Sequence, residues 1–118
     1  MEAILAKARE LGQSIRQHSR YEALREAEKK VMADSEATRI QEELEAQLTK
    51  IRQLEISNSP IEVEDKHELE RLQNMARGDT LLQGLMACQA DYFEMMNAVN
   101  SAIMAELRVT EKPEETGD

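Results

Sequence analysis

The chain has little of what holds a small β-rich or covalently stapled domain together. Among 118 residues there are one cysteine, no tryptophan, four glycines and two prolines. A lone Cys88 excludes an intrachain disulfide and fits a reducing compartment. So few glycines and prolines cannot supply the tight turns of a many-stranded β protein. Aromatics are 3% of the chain: Tyr21, Tyr92 and Phe93. No apolar run approaches the roughly 18 residues of a membrane-spanning helix. Lys7 interrupts the start, Met1-Glu2-Ala3-Ile4-Leu5-Ala6-Lys7, where a secretory signal would be apolar, so the expected location is the cytoplasm. Neither His18 nor His67 has a second His or Cys three or four positions away, so spacing gives no zinc site. There is no glycine-rich phosphate loop, and Gly12, Gly78, Gly84 and Gly117 stand apart from one another. No Ser-His-Asp order is readable either. The reading is a protein that is not an enzyme and needs no cofactor.

What is present is charge and aliphatic surface. Charged residues are 33% of the chain and hydrophobic ones 41%, mostly Leu, Ile, Met and Ala, as in a helical bundle or coiled coil. The net charge is −9, and it is uneven. Residues 1–60 hold 10 basic and 11 acidic side chains, residues 61–118 hold 5 and 13. Such a surface repels phosphate backbones, so direct nucleic-acid binding is not expected.

Five helical segments can be marked. The first covers roughly residues 2 to 17, with Ile4, Ala8, Leu11 and Ile15 spaced 4-3-4 along one face. The second starts at Ser19, where Ser19-Arg20-Tyr21-Glu22 fits a capping box. Asp34 opens a third helix that runs to about Ile56 and is about 33 Å long. Ala37, Ile40, Leu44, Ile51 and Leu54 form its seam, with Gln47 in the one gap. Ser57-Asn58-Ser59-Pro60 is the clearest turn; Ser59 and Pro60 are expected to start the fourth helix. Its inner face is Ile61, Leu69, Leu72 and Ala76, and Gly78 is expected to stop it in a left-handed conformation. Asp79 or Thr80 caps the fifth helix.

That fifth helix differs from the others. From Leu81 to Ala105 only Asp91 and Glu94 are charged. One seam reads Leu82, Leu85, Gln89, Tyr92, Met96, Val99, Ile103. A neighbouring seam reads Leu81, Cys88, Met95, Ala102, and Met86, Phe93 and Met104 widen the apolar surface. A helix apolar over most of its circumference needs cover on more than one side. The first two helices are expected to cover one side. The third and fourth, or a second copy of the chain, would cover the other. Leu82, Leu85, Tyr92, Met96, Val99 and Ile103 are therefore the candidate interface residues, with Tyr92 as anchor.

Other candidates have plainer readings. Glu62, Glu64, Asp65, Glu68 and Glu70 read as a solvated charged face. Glu64-Asp65-Lys66-His67 is a single Glu-x-x-His, whereas a di-iron bundle uses two. Glu64, His67 and Glu68 with symmetry-related copies are the one metal arrangement left to test. Cys88 has no electropositive neighbour in sequence and reads as a packed thiol. The methionines read as core or as a self-association seam before a promiscuous client surface.

The order of segments carries a resemblance. Ser19-Arg20-Tyr21 leads into Leu24-Arg25-Glu26-Ala27, and Ala33-Asp34-Ser35-Glu36-Ala37 opens a long charged helix. After the loop at Ser57 to Pro60 come a Gln/Glu/Leu-rich helix and an apolar helix ending Asn97-Ala98-Val99-Asn100-Ser101-Ala102-Ile103. Over about residues 3–107 this resembles the bacterial YlbF/YmcA family of small all-helical regulators. The resemblance implies an all-α fold completed by self-association and a cytosolic regulatory adaptor as the role. Some relatives act in a complex linked to an endoribonuclease and influence competence, sporulation and biofilm formation. Cysteines of several subunits hold iron–sulfur clusters there. This chain has only Cys88, and no cluster ligand is carried over. The expected organisation is one domain at 1–108 and a disordered acidic tail at 109–118. The expected partners are further copies of the chain and other regulatory proteins, without nucleic acid or membrane. A coiled-coil chaperone or secretion partner that binds amphipathic helices is the alternative.

Overall fold

A computed structural model describes the backbone of residues 1–116, with side chains described to residue 108. Five helices follow one another: α1 (Glu2–Arg16), α2 (Ser19–Met32), α3 (Ser35–Ile56), α4 (Val63–Gly78) and α5 (Thr80–Thr116). Among the described residues there is no strand. The fold is all-α, as the composition implies. The tail expected from residue 109 onward lies outside the fully described residues.

Two antiparallel helix pairs, α2 with α5 and α3 with α4, share one small core. Leu24 and Val31 come from α2, Ala37 and Ile40 from α3, Ala76 from α4, and Leu82 and Leu85 from α5. Ala27, Leu44, Met75, Leu81, Cys88 and Tyr92 pack around them. The first half of the α3 seam read from the sequence, Ala37, Ile40 and Leu44, is this buried side, while Ile51 and Leu54 are half-buried and lie outside the core. Its polar gap also has a job, since Gln47 Nε2 donates to the Asp65 carbonyl at 2.9 Å and ties α3 to α4.

The connections show where local chemistry departs from the sequence reading. Asp34 caps α3 as expected, its carboxylate accepting from Ala37 N–H at 2.8 Å. The α2 cap is His18 rather than Ser19, because the imidazole Nδ1 accepts from Arg20 N–H at 3.0 Å. Residues 57–60 end α3 rather than start α4. Asn58 adopts φ 57°, and its N–H reaches the Glu55 carbonyl at 3.2 Å. Ser59 N–H reaches the Leu54 carbonyl at 2.9 Å. This is a Schellman stop with Asn58 in the left-handed position. Helix α4 therefore starts at Val63, after an N-cap at Glu62 without a side-chain cap. Gly78 stays right-handed inside α4. Asp79 makes the corner by accepting from Leu82 N–H at 3.0 Å.

Candidate interaction surface

The surface is built on α5, which has 37 residues and is about 55 Å long. Helix α2 has 14 residues and covers only the first part of it. The cover ends in a small aromatic and ionic joint. Tyr21 and Tyr92 rings lie 6.0 Å apart, tilted by 56°. Arg20 donates to the Asp91 carbonyl at 3.2 Å and faces Glu94 at 3.7 Å. Beyond that joint α5 runs on without α2.

The six candidate interface residues divide at this joint. Leu82 and Leu85 are 5% and 4% exposed, inside the chain's own core. They are not free surface, because α2, α3 and α4 close over them. Tyr92 is half-buried and held by Tyr21. Met96 and Val99 are half-buried, and Ile103 is 50% exposed. One continuous stripe is thus core in its first half and open in its second. Leu107, four residues after Ile103, prolongs the open part at 57% exposure. The sequence reading passed over it because the apolar run breaks at Glu106. Phe93 and Met104 are exposed as well, at 62% and 49%.

Helix α1 was expected to help cover α5, and it does not. It approaches only α2 and has no buried residue. Ile4, Leu5 and Leu11 are exposed, and Ile15 is half-buried beside the joint with α2. The break at Gln17 and His18 turns α1 away, which is why an amphipathic helix stands unpartnered.

The acidic face of α4 divides similarly. Asp65 is buried, against the expectation of a solvated face, and its carboxylate meets Lys50 Nζ at 2.8 Å. The hydrogen bond from Lys50 holds the Asp65 carboxyl below its ordinary value, and the Lys50 ammonium is raised in turn. Glu68 is engaged by Arg71, whose hydrogen bond lowers its carboxyl. Among the described residues no three His, Cys, Asp or Glu side chains converge as metal ligands. Cys88 is a free, half-buried thiol at the edge of a groove of about 400 Å³ between α2 and α5. Among the described residues no helix is long and apolar enough to cross a membrane.

The family model described as control of competence regulator ComK, YlbF/YmcA, matches residues 4–108. The chain belongs to the YlbF/YmcA family. The match spans all five helices, so the role is a regulatory one at the level the family description gives. A solved structure, a protein of unknown function (DUF964) from Bacillus stearothermophilus, shares the fold with a TM-score of 0.79. It is 21% identical to this YlbF/YmcA member, over 90% of this chain and 93% of that one. No functionally curated protein matches the chain.

Proposed function

We propose that this YlbF/YmcA member is a non-enzymatic, self-associating helical adaptor of the cytoplasm. It would exert its regulatory role through helix–helix contacts on the open half of α5. The supporting observation is the α5 stripe, which is core at Leu82 and Leu85 and stands open at Ile103 and Leu107. A monomer has no physical reason to carry a core stripe past the end of its core, whereas a protein that docks helices does. The complex it would join, following the family resemblance, modulates RNA processing and developmental regulation.

Capture by the tagged full-length chain, with and without Met96→Ser, Val99→Ser and Ile103→Ser together, tests this. The adaptor reading expects one saturable protein partner that the triple variant loses and His67→Ala keeps. Retention of unrelated amphipathic peptides with similar affinity would favour the chaperone or secretion-partner alternative, for which the exposed Met86 and Met104 speak. A partner held equally by both variants would overturn the α5 assignment.

A further inference from the structure

Each chain carries two unpartnered apolar helical faces, and they begin at the same place. Helix α1 leaves the body at Gln17 and His18. Those residues adjoin Arg20 and Tyr21, which sit against Asp91, Tyr92 and Glu94. The uncovered half of α5 leaves from that joint too. We propose that α1 of a second copy covers the open α5 stripe, each copy lending its α1 to the other about a twofold axis. This rests on the helix-contact reading and names its first occupant.

Four features of the two faces fit. Ile4, Ala8, Leu11 and Ile15 step 4-3-4, and the open residues Met96, Val99 and Ile103 keep the same alternation of 3 and 4, which lets knobs of one helix enter holes of the other. The apolar stripes agree in length: Ile4 to Ile15 on α1 and Met96 to Leu107 on α5 each cover 12 residues, about 18 Å. The charges are opposite in sign. Lys7, Arg9 and Arg16 outnumber Glu2 and Glu10 on α1, whereas Glu94, which also faces Arg20 of its own chain, and Glu106 outnumber Arg108 between residues 93 and 108. The area is also available. The chain exposes 9075 Å², while a compact monomer of its mass exposes about 6,500 Å². The excess is larger than the ~800 Å² that each partner contributes to a standard interface. A twofold axis makes both contacts at once, because both arms project from one joint.

Paired charge variants test the exchange in the full chain. Ile4→Glu with Leu11→Glu marks α1, and Ile103→Lys with Leu107→Lys marks α5. All four residues are exposed, from 38% to 67%, so each variant should keep the wild-type helical circular dichroism. The wild type is expected at twice the chain mass in native mass spectrometry and sedimentation. Each variant alone is expected at the chain mass, since charge then lies inside both contacts. An equal mixture is expected to recover the dimer as a heterodimer: one contact pairs Glu with Lys and the other is native. A dimer indifferent to both variants, or a mixture that stays monomeric, overturns the exchange and leaves partner capture by α5 standing. A monomeric wild type overturns the exchange and self-association together.

Discussion

Asp65 shows how one side chain can escape a reading by pattern. It sits among Glu62, Glu64, Glu68 and Glu70, where sequence context implies solvent, yet it is buried against Lys50 from the preceding helix. Nothing local marks it; only the antiparallel approach of α3 brings the ammonium within 2.8 Å. Its carboxyl is held below the ordinary 3.8, first by that hydrogen bond. A depressed carboxylate adds stability above its unfolded pKa and loses it as pH falls through the folded one. Asp65→Asn is therefore expected to lower the urea midpoint near neutral pH. That deficit should shrink progressively as the solution is acidified below 3.8. A deficit of constant size across that range would show that the ion pair contributes nothing. His18 was equally hidden, since pattern rules favour Ser19 as the cap, whereas the imidazole accepts from the Arg20 N–H.

At the level of elements, the helices were legible because periodicity and caps agree. The α3 seam, the Asp34 cap and the corner at Asp79 all lie where spacing and side-chain chemistry put them. The miss at residues 57–60 has a specific cause. Ser, Asn and Pro serve both helix starts and helix stops, and the left-handed Asn58 decides for a stop. A residue without a polar side chain pays roughly 1–2 kcal/mol in that conformation, and glycine pays little. Asn58→Ala is thus expected to destabilise by about 1 kcal/mol in denaturant unfolding, with Asn58→Gly close to wild type. Equal effects of the two would show that the backbone there is not held left-handed. The division of the α5 stripe was not legible. Leu85 and Ile103 look alike along the helix, and only the length of α2 determines that one is sealed and the other open.

The whole molecule is extended. Its radius of gyration is 20.3 Å, against about 13–14 Å for a compact chain of this length. Its extents are 58 × 38 × 25 Å. The aliphatic composition announced a helical protein but not this openness, because amphipathic helices have the same pattern whether their apolar side meets its own chain or another. A core drawn from a handful of side chains gives a lone copy modest stability. If copies complete one another, the melting temperature must rise with protein concentration by mass action. A melting temperature unchanged over a hundredfold dilution series would place all of the stability within the single chain.

The joint at Gln17 and His18 has a consequence for traffic between assemblies. It is a two-residue break between α1 and α2, and because α1 has no buried residue, an α1 docked on a neighbour would leave it without disturbing the core of either copy. Association then need not wait for global unfolding. Copies would trade partners on the timescale of a single arm letting go, so the composition of a mixed regulator could follow the supply of its subunits.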